Sequence, residues 1–147
     1  MYDRFKNFTV YMLRISRCIQ KIKSEEMSEL ELKGPHVSCL YYLYREGSLT
    51  ATELCDICVE DKSYISHSLR YLEEKGYVAC DSDAKKRYNA PFTLTELGKK
   101  TAELVAKKID TVLAPAGDGI DEEERKILYK CLDTVTENLE RISKKYD

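Results

Sequence analysis

The chain has 147 residues, a formal net charge of −2, 43% hydrophobic and 34% charged side chains. This length suits one domain with its own core, and the composition excludes disorder or a membrane protein. No apolar run approaches the roughly 20 residues that span a bilayer, and the first residues lack the apolar core of a signal peptide. We therefore expect a cytoplasmic location and no membrane partner.

The first predicted element is a long amphipathic helix. Its apolar residues recur at helical spacing, at Phe5, Phe8, Met12, Ile15, Ile19 and Ile22. Gly34-Pro35 is expected to break this helix, and a second helix then ends at Glu46-Gly47. The tyrosines of the second helix are interpreted either as core residues with a wet hydroxyl end or as lining of a binding site.

The next two predicted elements form a helix-turn-helix. Thr50 and Glu53 have the spacing of a capping box, so a third helix should begin there. We expect it to bury Leu54, Ile57 and Cys58. Asp61 is a good N-cap for a fourth helix, whose inward stripe is Ile65, Leu69 and Leu72.

A β-hairpin is expected to follow the fourth helix. Gly76 supplies the helix stop, residues 77–80 an extended strand, and Phe92-Thr93-Leu94 the returning strand. The loop between the strands carries a basic tip of Lys85, Lys86 and Arg87. From residue 61 to residue 91 there are six cations against five acids, a net charge of +1, so positive charge is local rather than global.

Two further helices complete the pattern. One starts at Thr95 and ends near Ala114-Pro115, and the other has Asp121 as its N-cap. The last helix has a long apolar stripe formed by Ile127, Leu128, Cys131, Leu132, Val135, Leu139 and Ile142. Such stripes on both terminal helices exceed what one small domain can cover, which favours a homodimer over packing within one chain.

With these elements in place, the chain resembles the MarR family of winged-helix transcription regulators over nearly its full length. The resemblance rests on residues 72–78, residues 92–98 and the long flanking helices. It implies a mainly α fold with a small β-hairpin wing and long N- and C-terminal dimerisation helices. Residues 1–33 and 115–147 would dimerise, residues 34–98 would form the DNA-binding lobe and residues 95–114 the connecting helix, all in the single chain 1–147.

The resemblance also implies a sequence-specific regulator of double-stranded DNA, a repressor that binds an inverted repeat as a homodimer. With the apolar stripe of the fourth helix turned inward, its groove-facing residues are Lys62, Ser63, Tyr64, Ser66, His67 and Arg70. Arg70 is the best candidate for reading bases, unless it pairs with Glu73 or Glu74. The wing residues Lys85, Lys86 and Arg87 would grip the backbone or the minor groove. The family usually has Asp-Arg-Arg where this chain has Lys86-Arg87-Tyr88, so the acid that braces the wing arginine is missing.

In this family a small ligand between the dimer helices and the DNA-binding lobe controls release of DNA. Candidate linings for an aromatic or phenolic effector are Tyr11, His36, Tyr41 and Tyr44. Cys18 lies where some relatives carry a peroxide-reactive thiol, so a redox-sensing regulator is an alternative. A winged-helix protein-interaction module that does not bind DNA is a second alternative.

The remaining signals favour no catalysis. The two histidines are far apart in sequence, no glycine loop could cradle a phosphate, and no cofactor or metal is expected. The six cysteines are interpreted as reduced thiols because the chain lacks an export signal. Cys55 and Cys58 form a C-x-x-C inside a helical pattern, which favours helix packing over a metal or redox site.

Overall fold

The computed structural model describes residues 4–80 and 89–147. Residues up to Leu113 form one compact unit, and Ala114–Asp147 form a second. The helices of the first unit are α1 Arg4–Glu26, α2 Gly34–Glu46, α3 Ala51–Cys58, α4 Lys62–Glu74 and α5 Glu96–Leu113. A 3-10 turn, Ser28–Leu30, follows α1. None of the helices described is long and apolar enough to cross a membrane.

The predicted caps of α3 and α4 are confirmed. The Thr50 hydroxyl accepts from the Glu53 amide at 3.2 Å, and the Glu53 carboxylate accepts from the Thr50 amide at 2.8 Å. The Asp61 carboxylate accepts from the Tyr64 amide at 2.8 Å. These side chains satisfy amides that have no partner inside the helix, so each helix begins where its cap stands.

The predicted boundary between the first two helices is wrong. α1 ends at Glu26, and Gly34 and Pro35 are the first residues of α2 rather than the break in α1. Proline suits a helix start because its missing N–H would have had no helical acceptor there. Before α2 the chain turns through Glu31, a non-glycine residue with a φ of 56°.

The wing strands form part of a three-stranded antiparallel sheet. β1 is Ser48–Leu49, β2 is Val78–Cys80 and β3 is Phe92–Leu94, in the order β1-β3-β2. Leu49 lies opposite Phe92, and Val78 lies opposite Leu94. The hairpin of β2 and β3 is confirmed, but β1 was not expected, because two residues are too short for an alternating pattern to be visible.

The core of the first unit lies where α2 packs against α3, α4 and α5. Its fully buried side chains include Leu40, Leu43, Leu54, Ile65 and Leu72. The inward stripe expected on α4 is thereby confirmed. On α3 the expectation is wrong for Ile57, which is 37% exposed, because only one face of this eight-residue helix meets the core.

Gly98 lies in the first turn of α5, shortly after β3, at a position where a side chain would not fit. A Cβ at this position would overlap the carbonyl oxygen of Tyr77. The absent side chain therefore lets α5 approach the backbone at the start of the wing. The position of the wing depends on this contact.

The second unit consists mainly of α6, Glu122–Ser143, flanked by the 3-10 turns Ala114–Gly117 and Lys144–Tyr146. Asp121 caps α6, as expected, and Glu124 completes a capping box with it. Several large apolar side chains of α6 are exposed: Ile127, Leu128, Leu139 and Ile142.

Candidate nucleic-acid interface

Helix α4 has one face in the core and the other in solvent. Ile65, Leu69 and Leu72 are 0–3% exposed, and the buried hydroxyl of Ser68 donates to the Tyr64 carbonyl oxygen at 2.8 Å. This face anchors the helix. Burying three large aliphatic side chains contributes several kcal/mol at about 1.5–3 kcal/mol for each.

The outer face of α4 bears every helix residue that the sequence predicted for the groove. Their side chains are exposed: Lys62, Ser63, Tyr64, Ser66, His67 and Arg70. Hydroxyl, imidazole and guanidinium groups are the side-chain groups that read base edges and bind phosphates. The helix thus presents a polar, partly cationic row.

Arg70 is free to contact a ligand as far as the described residues show. Among these residues it makes no hydrogen bond or ion pair, so the pairing with Glu73 or Glu74 considered from the sequence is not formed. Arg70 lines a shallow cleft of about 290 Å³ together with Ser66, Glu73 and Phe92. Its guanidinium can therefore extend toward a groove without breaking an existing pair.

The basic tip of the wing lies outside the described residues. Lys85, Lys86 and Arg87 all fall in the segment 81–88, so their predicted contacts stay predictions. The described strands β2 and β3 show where the hairpin starts and returns. Both strands follow α4 in sequence, and β2 packs against that helix.

The opposite end of α4 is bound to the segment that joins α1 to α2. The Tyr71 hydroxyl donates to the Glu31 carbonyl oxygen at 2.7 Å, and Lys75 Nζ lies 3.2 Å from the Glu31 carboxylate. The hydrogen bond from Lys75 to the Glu31 carboxylate raises the pKa of Lys75.

The ring of His36 stacks on the ring of Tyr71, with the two ring centroids 4.1 Å apart. The Nδ1 atom of His36 accepts a hydrogen bond from the Lys33 amide at 3.0 Å. Burial, and then the charge of Lys33, lower the pKa of His36.

A cleft of about 770 Å³ opens beside these contacts. Its walls include Lys33, His36, Tyr64, His67 and Tyr71. Of the four candidate effector residues only His36 lines this cleft. Tyr11 is 61% exposed on α1, Tyr44 is 43% exposed, and the Tyr41 hydroxyl accepts from Arg45 at 3.1 Å. The structure therefore does not bring the four candidates together in this cleft.

The cysteines contain a pairing that the sequence did not indicate. Cys18 is exposed on α1, whereas Cys55 and Cys58 pack against the core, as expected for helix packing. The interaction with the thiol of Cys39, which is fully buried on α2, lowers the pKa of Cys58. The same interaction, together with burial, raises the pKa of Cys39. Burial raises the pKa of Cys55. The two partners lie 19 positions apart, so no local spacing motif reveals them.

A helix-turn-helix followed by an antiparallel hairpin defines a winged-helix protein. The model of the MarR family matches residues 30–87. The matched segment includes α2, α3, α4 and β2, in agreement with the resemblance to this family read from the sequence.

Known proteins share the fold over most of the chain. A MarR-family regulator from Listeria monocytogenes, crystallised with a 26mer DNA, is 24% identical, with a TM-score of 0.80 over 95% of this chain and 90% of that one. A MarR protein from Peptoclostridium difficile has a TM-score of 0.85 at 20% identity and covers 100% of this chain and 95% of its own. An HTH-type transcriptional regulator of Bacillus cereus is 24% identical over 131 residues, 88% of this chain and 87% of its own.

Proposed function

We propose that this protein is a repressor that binds double-stranded DNA sequence-specifically, as a homodimer on an inverted repeat. The observation that carries the proposal is the two-faced α4. Its apolar face is fully anchored in the core, while Ser66, His67 and Arg70 stand exposed on the other. A rigidly mounted helix with an unpaired arginine is what direct readout in a major groove requires. The DNA complex of the Listeria relative, which shares the fold, supports the same use here.

The homodimer is proposed from apolar surface that the single chain leaves uncovered. On α1, Leu13 is 71% and Ile15 is 50% exposed, and on α6, Ile127 is 61% and Ile142 is 46% exposed. A monomer rarely exposes so much apolar surface on amphipathic helices. A second copy would bury both stripes in a self-complementary contact, and the paired α4 helices would then read half-sites about one helical turn, roughly 34 Å, apart.

Control by a small ligand is part of the proposal. The cleft lined by His36 adjoins Tyr64, His67 and Tyr71 of α4 itself. An aromatic or phenolic ligand bound there would contact the recognition helix directly. It would shift the population of DNA-competent dimers only to the extent that it binds the two forms unequally. The proposal places the protein in the cytoplasm, and it assigns no catalytic role.

Selection of genomic fragments on the purified protein tests the proposal and separates it from a protein-interaction module. We expect enrichment of fragments that share an inverted repeat with half-sites one helical turn apart. The matched control is the Arg70→Ala protein, which should fold normally and recover the motif poorly. Absence of any enriched inverted repeat would overturn DNA regulation and favour the interaction module.

A further inference from the structure

The connector between α1 and α2, residues 27–33, is a firmly held part of the first unit. Met27 is fully buried and Leu32 is 3% exposed, so both ends of the connector are anchored in the core. At its start, Lys108 Nζ of α5 donates to the Glu26 carbonyl oxygen at 3.1 Å, which binds the end of α1 to α5. The connector can therefore serve as a fixed support for another element.

Helix α4 is attached to this support at one residue, Glu31. The Tyr71 hydroxyl donates to the Glu31 carbonyl oxygen at 2.7 Å, and Lys75 Nζ lies 3.2 Å from the Glu31 carboxylate. Tyr71 and Lys75 are four positions apart, so they lie on the same side of α4, one turn after the other. Glu31 thus holds two successive turns of the helix, one through its backbone and one through its side chain.

The backbone at Glu31 is unfavourable for a glutamate. Its φ of 56° lies in the left-handed region, which glycine adopts freely and other residues do not. The ion pair with Lys75 is exposed, with 75% of the Glu31 side chain and 45% of the Lys75 side chain accessible, and such pairs add little to stability. Glycine would therefore suit the turn at least as well, but it could not hold Lys75.

We propose that Glu31 is a positioning residue, which fixes the rotation of α4 about its own axis through Tyr71 and Lys75. The buried stripe of α4 holds the helix on the core by apolar contacts, which have no direction of their own, whereas hydrogen bonds do. A rotation of about 20° would move atoms at the helix surface, roughly 5–6 Å from the axis, by about 2 Å. That displacement exceeds the range of a hydrogen bond, so it would misdirect the neighbouring Arg70. The consequence for Arg70 rests on the proposed function, whereas the attachment of α4 does not.

The test compares the full chain with Tyr71→Phe, with Glu31→Gly and with both substitutions together. Tyr71→Phe removes the hydroxyl and keeps the ring that stacks on His36, and Glu31→Gly removes the carboxylate and relieves the backbone. Glu29→Gly is the matched control. Glu29 is an exposed acid of the same connector, and its side chain forms no hydrogen bond or ion pair within the part of the chain that the structure describes.

The first measurement is native-state hydrogen exchange at the end of α4, where the amides of Lys75, Gly76 and Tyr77 are hydrogen-bonded. In the double variant we expect these amides to exchange about fivefold faster, while the amide of Ile65 near the start of the helix is unchanged. In urea, Glu31→Gly should be no less stable than the wild type. Unchanged exchange at the end of α4 would overturn the proposal, as would faster exchange along the whole helix, which indicates a loss of overall stability.

The second measurement is affinity for a DNA duplex that carries the inverted repeat enriched by selection. We expect binding about threefold weaker for Glu31→Gly and about tenfold weaker for the double variant. Loss of an acid by itself favours binding to DNA, and Glu29→Gly measures that effect. Equal affinities of Glu31→Gly and Glu29→Gly would overturn the role in directing Arg70. If the end of α4 loosens as expected and the wild type enriches no DNA, the proposed function fails and the attachment of α4 by Glu31 stands.

Discussion

The hydroxyl of Thr95 donates a 2.6 Å hydrogen bond to the carbonyl oxygen of Gly76, joining the residue before α5 to the turn that ends α4. The same hydroxyl oxygen accepts from the Gly98 amide at 3.0 Å, and the Thr95 amide donates to the Tyr77 carbonyl oxygen at 3.0 Å. One residue thus caps α5 and ties α4 to the wing. The end of α4, the base of the wing and the start of α5 therefore form one connected structure.

Thr95→Val removes this hydroxyl and should lower the free energy of unfolding by about 1–2 kcal/mol, the cost of a lost helix cap. Urea unfolding followed by circular dichroism measures it. Thr111→Val is the matched control, since its hydroxyl donates only to the Lys107 carbonyl oxygen within α5. Equal losses in the two variants would contradict the role of Thr95 as a tie.

Arg70→Ala should relax base preference. If Arg70 forms two hydrogen bonds with a guanine edge, its loss should cost about 1–3 kcal/mol of binding free energy on the preferred operator. The cost should be small on an operator in which that base pair is changed. Fluorescence anisotropy on operator variants measures the difference. Arg125→Ala, on the exposed start of α6, is the control for loss of one positive charge. An unchanged order of preference would remove Arg70 from base readout.

Arg87→Ala should weaken binding similarly on all sequences. The wing arginine is expected to contact backbone, so the slope of log affinity against log salt should fall in magnitude by about 1. The measurement is the same anisotropy series across salt concentrations. The Arg70→Ala protein is measured alongside. If the slope for Arg87→Ala equals that of the wild type, Arg87 makes no phosphate contact.

The lowered pKa of His36 links stability to pH. The folded state binds fewer protons than the unfolded state, so this contribution is fully present above the ordinary value of 6.5 and is lost as pH falls through the lower folded pKa. His36→Gln should therefore lose less stability than the wild type between about pH 7.5 and pH 5.5. The effect should be small because the side chain is partly exposed.

Urea unfolding at the two pH values measures this difference. His67→Gln is the control, because His67 is exposed on the outer face of α4. The reason for a specific effect is geometric, since the Nδ1 that accepts from Lys33 becomes a donor when protonated. Identical pH profiles for the wild type and His36→Gln would contradict the assignment.

Leu139→Lys should dissociate the proposed homodimer. Leu139 is 43% exposed on the apolar face of α6, and a charge buried in that contact would raise the dimer dissociation constant about tenfold to a hundredfold. Sedimentation velocity at micromolar concentration measures it. Glu137→Lys, on the opposite side of α6, is the control. A wild type that sediments as a monomer would remove the homodimer.

Helix caps and the division of α4 into two faces were predictable because their determinants are local. Thr50, Asp61 and Asp121 act on amides within three residues, and the inward stripe of α4 follows from helical periodicity alone. The residues on the outer face of α4, including Arg70, could then be predicted because the inward positions were already assigned to the core. Strand β1 was missed because two residues form a strand only through a partner that lies far along the chain.

The sequence by itself determined the winged-helix order of elements and the residues that α4 exposes, since both depend on short-range periodicity and capping. Only the tertiary structure decided which distant groups meet. His36 stacks on Tyr71, and Glu31 binds the end of α4. These contacts join residues 35 to 44 positions apart. Which residues meet at such separations depends on how the helices pack, and no local spacing records that packing.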